Sequence, residues 1–167
     1  QLVIVSSFSK IFSIPGFRIG FALANETVIK KLELSNSTLI SCLPIFTQMG
    51  CAAGLRVLGN YMQEVKDHYY KTTNEVVNIL KNSSALSFSE PDAAFYIFAD
   101  ISKTGLDDVK FSDLLLTKAN TAVTPGRSFG EKYRNFIRIA ICGNIEDVVE
   151  GVSRVVTLAE ELSLVKS

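Results

Sequence analysis

The residues best placed to do chemistry lie in one short stretch, Ser7-Phe8-Ser9-Lys10-Ile11-Phe12-Ser13-Ile14-Pro15-Gly16-Phe17-Arg18-Ile19-Gly20. Lys10 offers a primary amine, a side-chain nucleophile that condenses with carbonyl carbon. Arg18 offers a planar fork that can hold an anion such as a phosphate through two charge-assisted hydrogen bonds. Ser7 can add a hydroxyl hydrogen bond to the same anion, and Ser9 is a small residue that fills space beside the amine. Pro15-Gly16 forces a turn between amine and fork. Gly16 is expected to give that turn its freedom, and Gly20 to permit close backbone approach. Alone, a turn lysine is an ordinary solvated charge and a surface arginine an ordinary ion-pair partner. The combination of types and spacings sets these two apart.

Elements on either side must hold that stretch. Leu2-Val3-Ile4-Val5 is a continuous, β-branched apolar run that reads as a buried strand leading into it. Phe17 to Ala24 reads as the returning strand. Asn25 is expected to cap a helix reaching about Leu34, followed by a polar loop over Ser35 to Thr38. A helix rich in small residues is expected from about Ile45 to Val57, with an interruption or bend at Gly59-Asn60. Leu58, Met62, Val65, Tyr69, Val76 and Leu80 then recur at helical spacing and mark a long amphipathic helix over about 58–82.

Beyond it, Leu86–Phe88, Ala94–Ala99, Ala122–Thr124 and Phe136–Ile141 read as strands, and Phe111–Ala119 as a helix. Asn144, with Asp147 three residues on, opens a terminal helix. The chain is expected to divide at the long helix, into residues 1–60 and 61–167. Gln1 stands directly before an apolar run without a methionine, which reads as a truncation of a longer protein.

Composition narrows the function. The 167 residues carry 17 Lys+Arg against 17 Asp+Glu, a formal net charge of +0, which argues against a nucleic-acid partner. No run of about 18 apolar residues suggests a membrane span, and no secretory leader is expected. Cys42, Cys51 and Cys142 are scattered, so neither a disulfide framework nor a metal site is expected. They read as buried small apolar residues, and a cytoplasmic setting is the default. His68, the single histidine, reads as a structural residue, and Tyr69-Tyr70 as packing.

The stretch around Lys10 resembles the lysine signature of class I/II aminotransferases, the pyridoxal-phosphate (PLP) enzymes of fold type I: small-x-small-Lys, then a small residue, then Gly-x-Arg-aliphatic-Gly. Glu90 to Phe98 resembles the family's Pro-x-Gly-aromatic strand, with Ala93 at the usual glycine, a departure expected to tighten the turn. Pro125-Gly126-Arg127-Ser128-Phe129-Gly130, with Phe136-Ile137-Arg138-Ile139 after it, resembles the family's Pro-Gly-x-x-Phe-Gly loop and arginine strand.

The resemblance implies an α/β fold seen in part, the end of a large PLP-binding lobe over 1–60 and a small α+β domain over 61–167. It implies that Lys10 carries PLP as a Schiff base and acts as general acid/base, with Ser7, Ser9 and Arg18 at the cofactor. It makes Arg138 the clamp for the substrate α-carboxylate, with Arg127 and Arg134 as competing candidates. The implied reaction moves an amino group between an amino acid and a 2-oxo acid, in a homodimer. A decarboxylase, β-lyase or synthase, or an inactive C-terminal module, are the alternatives. The partners of the ring nitrogen, the ring face and the rest of the phosphate are expected before Gln1, so this chain alone is not expected to turn over.

Overall fold

The computed structural model describes residues 2–165; the reading of Gln1 as a truncation point therefore lies outside the described residues. The chain forms two compact units that divide after Val65, inside the long helix.

The first unit opens with strand β1 (Ile4–Ser7), which runs directly into a single helical turn, α1 (Phe8–Ile11). A 3-10 turn over Pro15–Phe17 leads back to strand β2 (Gly20–Leu23). The two strands pair antiparallel from Ile4↔Leu23 to Ser7↔Gly20. β2 starts at Gly20 rather than Phe17 because Arg18 is left-handed, with φ of 51°, and cannot be extended. The expectation of a buried first strand is corrected here: Val5 is 74% exposed and Leu2 equally so. A two-stranded ribbon has little area to bury, and the small core of this unit takes Phe21 of β2 and leaves the β1 side chains outside.

Helix α2 (Glu26–Leu39) begins where Asn25 Oδ1 accepts the Val28 N–H at 3.0 Å. It continues through Ser35–Thr38, correcting the expectation of a loop there. The Ser37 and Thr38 hydroxyls donate to the Leu34 carbonyl at 2.8 and 3.1 Å, so the helix itself satisfies them. Helix α3 (Ile45–Arg56) ends at Val57, and helix α4 (Leu58–Lys81) starts immediately after. The interruption thus falls ahead of Gly59-Asn60, which are helical. Phe8, Ile19 and Cys51 form a small core, with Phe12, Ile14, Phe21 and Leu43 packed against it.

The second unit holds a four-stranded antiparallel sheet in the order β3 (Ser87–Phe88), β4 (Tyr96–Asp100), β6 (Phe136–Ala140), β5 (Thr124–Pro125). Strand alternation sorts its side chains. Ile97 and Ala99 on β4, and Ile137 and Ile139 on β6, point into the main core. There they join Val76 and Leu80 of α4, Phe111 and Leu115 of α5 (Asp108–Ala119), and Val152 and Val155 of α6 (Ile145–Leu164). Each of the Val, Leu, Ile and Phe side chains contributes about 1.5–3 kcal/mol on burial. Helix α5 starts at Asp108, earlier than expected, because Asp107 caps it by accepting the Lys110 N–H at 2.9 Å. Asn144 caps α6 through the Glu146 N–H at 2.9 Å.

Glu160 of α6 clasps the turn after α4. Its carboxylate accepts from the Ser83 hydroxyl at 2.6 Å, the Ser84 N–H at 2.7 Å, the Ser84 hydroxyl at 2.9 Å and the Ala85 N–H at 3.0 Å. Cys51 is buried but Cys42 and Cys142 are exposed, so the expectation of three buried cysteines is corrected for two of them. His68 is exposed, with Nε2 3.2 Å from the Gly143 carbonyl. Tyr69 stacks on Phe95 with centroids 5.5 Å apart. Among the described residues no helix is long and apolar enough to cross a membrane.

Candidate active site

Backbone pairing builds the turn that carries Lys10. Ser7 is the last residue of β1 and the cap of α1; its Oγ accepts the Ser9 N–H at 3.1 Å and donates to Ser9 Oγ at 2.9 Å. Ser9 is buried and Lys10, next to it, is exposed. The Phe8 N–H donates to the Ile19 carbonyl at 3.1 Å. Together with the Ser7↔Gly20 pair, this bond brings residues 7–10 and 18–20 to one end of the ribbon. A Cβ at Gly20 would sit 2.5 Å from the Ser6 carbonyl oxygen, so only glycine lets the strands approach this closely.

The freedom expected of Gly16 is not used there. The left-handed residues are Ser13 and Arg18, with φ of 55° and 51°. Arg18 is exposed, and its Nη1 donates to the Pro15 carbonyl at 2.9 Å, which fixes the side chain against its own turn. The structure thus groups Ser7, Ser9, Lys10 and Arg18 on one turn, and places Arg138 in the other unit.

Arg138 lies on β6, an interior strand, on the face opposite the core. Its cross-strand partners are Phe98 on β4 and Thr124 on β5. The guanidinium carbon sits 4.3 Å from the Tyr96 ring centroid and 5.0 Å from that of Phe129, within cation–π range. Phe98 supports Phe129 edge-on at 5.8 Å and stacks on Phe136 at 5.0 Å. Nη2 donates to Thr124 Oγ1 at 3.2 Å. Among the described residues, Arg138 has no carboxylate partner, and its Nε is buried without an acceptor. Buried donors are nearly always satisfied, so a stranded one marks a place for an acceptor.

The competing arginines are engaged. Arg127 donates from Nε and Nη2 to Asp108 Oδ1 at 2.8 and 2.6 Å, and from its backbone N–H to Oδ2 at 2.7 Å. Asp108 is fully buried. Burial pushes its carboxyl up, but the hydrogen bonds from Arg127 outweigh this and hold it below the ordinary aspartate range. The same hydrogen bond, ahead of its own desolvation, raises Arg127. Arg134 pairs with Glu131 at the surface. Sequence reasoning missed Asp108 and Thr124. Asp108 fell outside the expected helix, and Thr124 reaches Arg138 only through strand register.

The loop between Asp108 and Arg138 is tightly fitted. A Cβ on Gly126 would meet the Tyr133 and Phe136 carbonyl oxygens at 2.2 and 2.5 Å, and Gly130 has φ of 128°. In the turn before β4, the left-handed residue is Ala94, with φ of 68°, and not Ala93.

The model of the family described as aminotransferase class I and II matches residues 1–155. The chain belongs to that family. It is 34% identical to an aspartate aminotransferase of Pyrococcus horikoshii over 92% of its length and 40% of the relative's. It is 32% identical to aromatic-amino-acid aminotransferase 2 of Thermococcus litoralis, over 99% of the chain and 43% of that protein. The solved aromatic aminotransferase from Pyrococcus horikoshii OT3 superposes with a TM-score of 0.87 at 30% identity, covering 95% of this chain and 43% of that one. The fold is therefore a partial fold-type I fold, as expected, and the chain spans about 40% of the length of this aspartate aminotransferase.

Proposed function

We propose that the chain is the C-terminal portion of a PLP-dependent aminotransferase that moves an amino group between an amino acid and a 2-oxo acid. One observation carries this reading: within a chain of this family, an exposed lysine, a hydroxyl and an arginine fork share one backbone-locked turn. This donor set fits PLP, which needs an amine for its carbonyl and cations and hydroxyls for its phosphate. When bound, the cofactor supplies the carbonyl that takes up the amino group and a ring that withdraws electrons from Cα.

The chain's own residues do the rest. Lys10 Nζ anchors the cofactor, and once freed it carries a proton to and from the reacting carbon. Arg18 and Ser7 hold the phosphate, and buried Ser9 fills the space behind the lysine. Arg138 holds the α-carboxylate and so fixes the orientation of the Cα–H bond; its unsatisfied Nε and the absence of a carboxylate partner among the described residues support this role. Residues 1–60 would belong to the large lobe and 61–167 to the small one. A homodimer and a cytoplasmic setting go with this reading. The acid for the ring nitrogen and the ring-stacking group would come from the part of the relatives' length that this chain does not span.

The test is amino transfer from a 15N-labelled amino acid to a 2-oxo acid by the full-length polypeptide. Label should appear in a new amino acid, vanish in Lys10→Ala, and require roughly 10- to 100-fold more substrate in Arg138→Lys, which loses a bidentate charged contact. Release of carbon dioxide or ammonia without transfer would instead assign another PLP reaction.

A further inference from the structure

We infer that Thr124 is a positioning residue for Arg138, setting which edge of its guanidinium is presented to a carboxylate. The inference rests on the reading of Arg138 as the carboxylate-binding group. Two aromatic rings, Tyr96 and Phe129, lie against the guanidinium. Rings hold the plane of a guanidinium by stacking, but they offer no directional acceptor and leave rotation within that plane unopposed. The only hydrogen bond to this side chain among the described residues is the one from Nη2 to Thr124 Oγ1, at 3.2 Å.

The geometry behind that bond is built into the sheet. Thr124 and Arg138 are directly paired in antiparallel register, so both side chains stand on the same face, close together. Thr124 is β-branched, with a restricted χ1, and its hydroxyl is therefore aimed rather than free to wander. Its own strand is pinned beyond it: Pro125 follows, and Gly126 is closed in by the Tyr133 and Phe136 carbonyl oxygens. The Arg127 to Asp108 bonds tie the same loop to the start of α5. One Nη2 hydrogen is thus committed to Thr124, and buried Nε stays open. The Thr124 oxygen acts as acceptor toward Arg138, so its proton can turn toward an arriving carboxylate oxygen.

The experiment uses the full-length polypeptide labelled with 15N-arginine and titrated with pyruvate, while the Arg138 Nε–H and backbone amide signals are followed by NMR. Thr124→Val keeps the β-branch and the strand propensity but removes the acceptor. It should weaken pyruvate binding roughly 3- to 10-fold, the loss expected for one hydrogen bond. It should also broaden the Nε–H signal as the guanidinium begins to rotate. Thr124→Ser should restore both to within about twofold, since the hydroxyl returns. Unchanged affinity and line shape in Thr124→Val, with binding still lost in Arg138→Gln, would overturn the role of Thr124 alone. Pyruvate binding that is absent, or that survives Arg138→Gln, would overturn the reading of Arg138 and this inference with it.

Discussion

Lys10 and Arg138 are held in place by different means. Around Lys10 the positioning is done by backbone: the Ser7↔Gly20 pair, the Phe8 to Ile19 bond, and left-handed residues at Ser13 and Arg18. Among the described residues the buried core beneath is Phe8, Ile19 and Cys51, and large apolar side chains such as Val5, Leu39 and Phe46 stay exposed in that unit. Around Arg138 the positioning is done by packing: a sheet with Ile97, Ala99, Ile137 and Ile139 buried on one face and a set of aromatic rings on the other. In the proposed role, Lys10 as a covalent anchor would need its turn closed, which hydrogen bonds and glycine provide. In the proposed role, Arg138 as a carboxylate clamp would need its guanidinium held without a competing acid, which rings and a rigid sheet provide.

The sharpest way to break this contrast is to place a methyl group where each unit has no room. Gly126→Ala drives a Cβ into two carbonyl oxygens within the packed loop, and should cost more than about 3 kcal/mol, the range of severe overpacking. Gly20→Ala meets one carbonyl oxygen of the thin ribbon; it should part the strands and leave the melting of residues 66–165 unchanged. Chemical denaturation followed by near-UV circular dichroism checks both, and equal loss from the two changes would dissolve the distinction.

Next in size is Asp108→Asn. It leaves Arg127, one-third exposed, with only the more distant Asp107 carboxylate at 3.6 Å, and should cost about 2–3 kcal/mol, below the full penalty for a wholly buried pair. Its measurable trace is thermal stability at neutral pH, together with a looser Arg138 through the shared loop.

Glu160 offers a pH test confined to the second unit. The Ser83 hydroxyl, then the Ala85 N–H and the Ser84 groups, hold its carboxyl down to about 2 from an ordinary 4.5. A depressed carboxyl contributes stability that is fully present above its unfolded value and is lost as pH falls toward the folded one. The melting temperature should therefore decline between about pH 4.5 and 2, and Glu160→Gln should flatten that decline. The smallest effect is a gain. Ala94 is left-handed, and Ala94→Gly relieves about 1–2 kcal/mol of strain against about 0.4–1 kcal/mol of added chain entropy. A rise of a few degrees or less in melting temperature is expected.

The elements that local chemistry dictates were legible in the sequence. Asn25 and Asn144 announce their helices through capping, and the turn around Lys10 announces itself through residue type and spacing. Features that depend on distant partners were not legible. Thr124 meets Arg138 through register alone, and Asp108 finds Arg127 only after the loop folds back. The Ser35–Thr38 segment looked like a loop because its hydroxyls are polar, yet the Leu34 carbonyl absorbs two of them. Leu2 to Val5 looked buried because the run is apolar; within its own unit these side chains stay exposed.

The most direct test of the account is borohydride reduction of the full-length polypeptide after incubation with PLP, followed by peptide mass mapping. The account predicts one pyridoxyl group, on the peptide containing Lys10, lost in Lys10→Ala and kept in Arg138→Gln. Modification at another lysine with Lys10 untouched, or labelling that persists unchanged in Lys10→Ala, would contradict it.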